Sequence, residues 1–220
     1  MANLSDVKRI VENKLSSSSH DLEHTMRVYG LAQRIAATIE GVDLEVLGLA
    51  TLLHDIARVL EDTDKTGSVD HAILGAEMAS EILKTLDFPE EVINKVIHCI
   101  QTHRFRGNKL PESIEAKILS DADKLDAIGA IGVGRAFMIA GEYGEPLYKT
   151  FDHEQYSTNI LNNGRIKEFK EHSPNIEFEV KLKYIPDRLY TEEAKRIAKE
   201  RVEFMEDFFE RLEKEIKGEA

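Results

Sequence analysis

The sequence predicts an all-α fold: a helical bundle with a polar insertion and a long C-terminal helix. Three observations carry that prediction. Apolar residues recur every three or four positions through 6–15, 20–39, 43–60, 71–86 and 90–103, the period of helices with one buried face. The breaks between these stretches hold turn and cap residues: Ser16 to Ser19, Gly41-Val42-Asp43, Thr66-Gly67-Ser68, Phe88-Pro89, and Gly107 to Pro111. From Thr191 to Ile216 a helical apolar stripe runs without a break, opening on an imperfect capping box whose third residue after Thr191 is Ala194.

The elements between follow in order. Leu47 to Leu53 is an apolar run that ends in His54-Asp55, so the helix expected over 43–60 carries this pair on its buried side. The stretch 127–140 is apolar and rich in small residues, which predicts a helix packed closely inside the core, with Gly129, Gly132 and Gly134 used for close approach. A nucleotide-cradling loop at these glycines would need a preceding strand, and the sequence offers none. Residues 141–175 are polar and too long for an ordinary connection, which fits either a lid or a surface insertion. Ile176, Phe178, Val180, Leu182 and Tyr184 alternate as in a strand, but no second strand is visible to pair with them, so helix is expected there.

At 220 residues the chain suits one sizeable core and reads as a single domain over 1–220, with its core at 20–140, the insertion at 141–175 and terminal helices at 176–216. Lys and Arg number 29 against 41 Asp and Glu, a net charge of −12 that repels polyanions and argues against duplex nucleic acid as a partner. A small phosphorylated ligand is compatible with that charge where a few Lys and Arg converge. The lone Cys99 has no internal disulfide partner and sits in an apolar setting typical of a core side chain. No run reaches the roughly 18 apolar residues of a membrane span, and the N-terminus lacks a signal segment, so no membrane partner and a cytoplasmic location are expected.

Chemistry concentrates in three places. Placing an imidazole and a carboxylate together on a buried face, as at His54-Asp55, is costly unless something binds them, and a metal ion is an economical partner. Read alone, the pair equally describes a core histidine followed by a capping aspartate. His20-Asp21-Leu22-Glu23-His24 sets two imidazoles four residues apart on one helix face, and Asp121, Asp123 and Asp126 crowd carboxylates that repel one another unless exposed or neutralised by a cation. Of the other histidines, His98 reads as a core residue, and His153 and His172 read as surface residues of the insertion.

The ordered set His24-x-x-Arg27-Val28, Leu52-Leu53-His54-Asp55-Ile56 and Asp121-Ala122-Asp123-Lys124-Leu125-Asp126-Ala127-Ile128-Gly129 resembles the HD superfamily of metal-dependent phosphohydrolases. Lys181-Leu182 and 194–201 are similar to the terminal helices of its soluble stand-alone branch. The resemblance implies an HD-domain bundle in which His24, His54, Asp55 and Asp123 ligate one divalent metal: Mn, Fe, Ni, Co, Mg or Zn. Asp123 is preferred to Asp121 because the family pattern reads Ala-Asp-x-Leu, which Ala122 to Leu125 fits. His71 and His103 resemble positions that hold a second metal or substrate phosphate in binuclear relatives; substrate contact is the first expectation and a second metal the next.

The implied reaction is hydrolysis of a phosphoester or phosphoanhydride in a nucleotide or similar small phosphate, with a cyclic-nucleotide phosphodiesterase or a non-catalytic binding module as alternatives. Asp55, Asp123 and Lys124 are the candidate catalytic residues, while His71, His103, Arg104 and Lys181 are the candidate substrate contacts, with Arg27 as a further cation. Guanosine tetraphosphate hydrolases of this superfamily carry Glu-Asp three residues after the His-Asp aspartate, where this chain has Arg58-Val59. Glu61, Asp62 and Asp21 are the replacement bases available, unless Asp55 or Asp123 serves.

Overall fold

The computed structural model describes residues 4–14, 22–104, 109–160 and 166–220. Among these the chain is helical, with no β-ladder beyond an isolated bridge between Ile160 and Ile166. His20, Asp21, the Ser16–Ser19 break and residues 162–165 of the insertion lie outside the described residues. The chain divides into two compact units, residues 1–124 and 125–220.

In the first unit, α1 (Leu4–Lys14), α2 (Leu22–Ala36), α5 (His71–Thr85) and α6 (Glu90–Thr102) pack around α3 (Leu44–Leu53). The sequence dictates that centre, because Val46 to Leu53 are buried without interruption and a helix apolar on every side must lie inside. Asp43 starts α3 by accepting a hydrogen bond from the Val46 amide at 3.1 Å, and its own amide donates to buried Glu115 at 2.9 Å. In α2 the buried stripe runs His24, Val28, Leu31, Ile35, so His24 belongs to the same inward face as the aliphatic residues that seat the helix. On α5 that face is His71, Ala72, Gly75, Ala76 and Ala79, small residues that let α5 pack closely on α6.

The expected helix over 43–60 is two helices. After α3 the backbone turns at 54–57 through short-range bonds, Ile56 N to Leu53 O and Arg58 N to Asp55 O, before α4 (Arg58–Thr63) begins. His54 and Asp55 thus sit at a helix end, not on a helix face. Apolar periodicity runs straight through this break and cannot report it. The unit ends within α7 (Ile114–Asp126), whose Ala116, Ile118, Leu119 and Ala122 are fully buried.

The second unit holds α8 (Gly129–Tyr143), α9 (His153–Ser157), α10 (Pro174–Val180) and α11 (Glu192–Lys217), with short 3₁₀ turns at 169–171, 182–184 and 186–188. Helix α8 packs on α10 and α11, and Phe178 stacks on Phe209 with ring centres 5.1 Å apart. Close approach explains Gly132: a Cβ there would lie 2.4 Å from the Ala127 carbonyl oxygen. Gly134 has open space around it, and Met138 on the outer side of α8 is 65% exposed, so α8 is a half-buried helix instead of the core helix that 127–140 suggested.

Segment 176–184 is helical, as expected, with Pro174 in the first turn of α10. Helix α11 starts after Thr191, which makes no side-chain cap bond, consistent with the defective capping box. Within the insertion, Asn175 pins the chain by hydrogen bonds to both the amide and the carbonyl of Lys149, at 3.1 and 2.9 Å.

Candidate metal centre

Two of the four central imidazoles are helix caps. His54 closes α3 and His103 closes α6, and each turns its Nδ1–H back onto the carbonyl three residues earlier: Thr51 O at 2.8 Å and Ile100 O at 2.6 Å. Those carbonyls belong to the last helical turn and lack intrahelical partners, so the rings satisfy them and in return fix their own tautomer. Each Nε2 is left as a lone pair aimed away from its helix.

The two lone pairs meet donors from neighbouring helices. His24 Nε2 lies 3.3 Å from His54 Nε2, 3.6 Å from Asp55 Oδ2 and 3.5 Å from Asp123 Oδ1. His54 Nε2 is 3.8 Å from Asp55 Oδ2 and 3.9 Å from Asp123 Oδ1. Ligand atoms about 2.1 Å from a shared cation stand about 3.0 to 3.4 Å apart in octahedral or tetrahedral order, so these separations fit a first-row divalent ion with slight contraction. His24, His54 and Asp55 are buried, while the Asp123 side chain keeps 25% exposure and marks the side open to solvent.

Asp55 turns its other oxygen to a second group. Its Oδ1 lies 3.3 Å from His71 Nε2 and 3.7 Å from His103 Nε2, and those two nitrogens are 3.2 Å apart. His71 opens α5 behind Asp70, which caps that helix through the Ala72 amide at 2.9 Å. A cation can be held by His24, His54 and Asp55, and another by Asp55, His71 and His103.

Electrostatics follow from burial and these neighbours. Burial pushes the His54 imidazole down to about 4 despite the Asp55 carboxylate, so the ring is a neutral ligand at ordinary pH. Burial also opposes charge on His103, yet the Asp55 and Asp123 carboxylates win and raise its pKa, so positive charge is favoured at that spot. For Asp123, burial is outweighed by the hydrogen bond from His24 and by the surrounding imidazoles, which hold its carboxyl below the usual carboxylate range.

The other sequence candidates divide. Lys124 is buried one residue beyond Asp123 and gives its ammonium to the Ser120 carbonyl at 3.0 Å and to the Ser120 hydroxyl, which itself donates to the His103 carbonyl at 3.2 Å. Arg104 pairs with Glu61 at 3.2 Å and Asp70 at 2.8 Å. In the second unit, Lys181 pairs with Glu177 at 2.5 Å, and Asp126 is buried against Arg135 at 2.8 Å. Arg27 lies 4.0 Å from Glu23. Glu61 accepts a bond from His71 Nδ1 at 2.7 Å. Its carboxyl, raised by burial but lowered more by His71 and the two arginines, falls to about 2.

Two residues differ from expectation. His172 is buried, not at the surface, because Tyr156 Oη meets its Nδ1 at 2.5 Å and Glu177 lies 3.4 Å from its Nε2. His98 is partly exposed and accepts the Glu112 amide at 3.2 Å. Thr51 and Ser120, which support the cluster, escaped sequence reasoning: Thr51 acts through its backbone carbonyl, which leaves no sequence signal, and for Ser120 the only signal was a hydroxyl residue four before Lys124.

Residues 21–128 match the HD domain family, and the chain is 36% identical over 210 residues to YpgQ of Bacillus subtilis (strain 168), covering 92% of this chain and 87% of that one. The chain belongs to the HD superfamily. The crystal structure of Bacillus subtilis YpgQ in complex with ADP superposes with a TM-score of 0.73 at 31% identity over 99% of this chain and 100% of that chain. An HD-superfamily hydrolase from Bacillus thuringiensis gives 0.70 at 29% identity over 97% and 96% of the two chains. A predicted HD-superfamily hydrolase from an uncultured Thermotogales bacterium gives 0.62 at 30% identity over 96% and 90%. Membership places the chain among metal-dependent phosphohydrolases in general. Among the described residues no helix is long and apolar enough to cross a membrane.

Proposed function

We propose that this protein hydrolyses a phosphoester or phosphoanhydride of a nucleotide, using a divalent metal held by His24, His54, Asp55 and Asp123. The observation that carries the reading is the convergence of these donors from two helices and one helix-ending turn at separations of 3.3 to 3.9 Å. A divalent metal bound there would activate water and neutralise charge developing on phosphoryl oxygens. Asp55 and Asp123 contribute the negative charge that holds it, and Asp123, on the open side, is placed to take a proton from an attacking water. Lys124 supplies positive charge beside Asp123 for the phosphoryl group.

The second pocket, Asp55 Oδ1 with His71 and His103, suits a second cation better than direct phosphate contact. In neutral His103 the Nδ1 proton is committed to Ile100 O and Nε2 is a lone pair that a cation can take, whereas a phosphate oxygen would need that nitrogen protonated. Glu61 is engaged with His71, Arg58 and Arg104, which leaves the base role to Asp55 or Asp123. Support for a nucleotide comes from YpgQ, whose structure holds ADP. Arg104 is proposed as a substrate contact, by exchanging a carboxylate partner for phosphate.

The test is turnover of mono-, di-, tri- and cyclic nucleotides with added Mn, read as released phosphate or pyrophosphate for the first three and as nucleoside monophosphate formed for the cyclic ones, with His54→Ala and Asp55→Ala alongside. Turnover is expected in the parent alone. Equal turnover by both variants overturns the reading, a cyclic substrate alone selects the phosphodiesterase, and inertness of metal-loaded parent across the panel selects a binding module.

A further inference from the structure

His71 Nδ1 has two neighbours that demand opposite protonation. The Glu61 Oε2 at 2.7 Å only accepts when ionised, so it requires a proton on Nδ1. The Arg58 guanidinium nitrogen Nη1 at 3.3 Å only donates, so a bond from it would require a lone pair on Nδ1 and send the ring proton to Nε2. The ring cannot satisfy both.

Distance and charge favour Glu61. Its contact is the shorter, and its carboxylate sits between two guanidinium groups, Arg58 at 3.0 Å from Oε2 and Arg104 at 3.2 Å from Oε1, which hold it ionised. Arg58 meanwhile donates from Nη1 to Glu61, and its Nε lies 3.2 Å from Asp62 without an aligned hydrogen bond. Arg104 is anchored from its other nitrogen by Asp70 at 2.8 Å, the residue that caps the helix His71 begins. Ring, carboxylate and both arginines therefore form one closed set.

We infer that Glu61 is a positioning residue that sets the sign of the second pocket: it draws the His71 proton to Nδ1, so that Nε2 offers a lone pair to a cation at Asp55 Oδ1, and it keeps Arg58 from reversing that tautomer. The inference rests on the two-pocket reading above. Without Glu61, Arg58 becomes the nearest partner of Nδ1, the proton moves to Nε2, and an N–H points at Asp55 where a ligand atom stood. A pocket for a cation becomes a donor that competes with one.

The experiment is long-range ¹H–¹⁵N correlation of the imidazoles in ¹⁵N-labelled, metal-free full chain, well above the pH at which histidine protonates, with Mn binding counted by electron paramagnetic resonance. The parent should show His71 protonated at Nδ1, and Glu61→Ala should show it at Nε2, where Asp55 Oδ1 at 3.3 Å accepts it. Glu61→Gln, whose amide can either accept or donate, serves if Glu61→Ala does not fold and should give a mixture. The second Mn equivalent should weaken about 10- to 100-fold in Glu61→Ala with the first unchanged. An Nε2–H tautomer in the parent, an unmoved tautomer in Glu61→Ala, or equal weakening of both equivalents overturns the inference. A parent that binds a single Mn overturns the two-pocket reading instead, and the tautomer spectra still decide the role of Glu61.

Discussion

Asp55→Asn should abolish metal stabilisation of the residue 1–124 unit. Asp55 touches every imidazole of the cluster, with Oδ2 toward His24 and His54 and Oδ1 toward His71 and His103, all within 3.3 to 3.8 Å. A ligand that binds only the folded state and is present at 100 times its dissociation constant stabilises by about 2.7 kcal/mol. For a chain of this size each kcal/mol moves the midpoint by roughly 2–4 °C, so Mn added to metal-stripped protein should raise it by about 5–11 °C. An amide at position 55 loses the anionic oxygen from both pockets, and the rise should fall below about 2 °C. Scanning calorimetry of parent and variant, with and without chelator, reads this directly. Asp207→Asn, on the exposed side of α11, is the control and should keep the full rise. An Asp55→Asn protein that gains as much from Mn as the parent would refute the assignment of these donors.

Three further outcomes are expected. Gly132→Ala would put a methyl group 2.4 Å from the Ala127 carbonyl, so its urea midpoint should drop by the equivalent of about 1–3 kcal/mol, and an unchanged midpoint would show that α8 can shift freely. Burial would raise the Glu177 carboxyl, but Lys181 and His172 bring it from 4.5 to about 2. A depressed carboxylate contributes its full stability above 4.5 and loses it as pH falls toward 2, so the parent should lose up to about 3 kcal/mol more than Glu177→Gln across that window; parallel acid curves would contradict the pairing. Lys124→Met should keep its circular dichroism and lose about 100-fold or more in kcat, and undiminished kcat would remove Lys124 from the reaction.

What the sequence disclosed depended on the range of the interaction. His24 was legible as an inward residue because Val28, Leu31 and Ile35 extend its stripe within one helix. The all-helical class was legible for the same reason. The break after Leu53 was not, because it is made by two backbone bonds of short reach in a run whose apolar period never falters. His172 looked like a surface residue because its partner Tyr156 stands sixteen positions away, across a segment with no periodic pattern. Of the three crowded carboxylates, charge counting showed that they needed neutralising, but only tertiary structure gives Asp126 to Arg135 and brings Asp123 to the imidazoles.

That His54 and His103 terminate two helices packed on each other has a consequence for a pair of ions. His54 faces one pocket and His103 the other, with Asp55 between them, so the distance from α3 to α6 gauges the span between the two cation positions. Buried residues of the two helices, Leu49, Leu53, Val96 and Ile100 among them, make that span stiff. Two ions seated there would keep a separation dictated by helix packing.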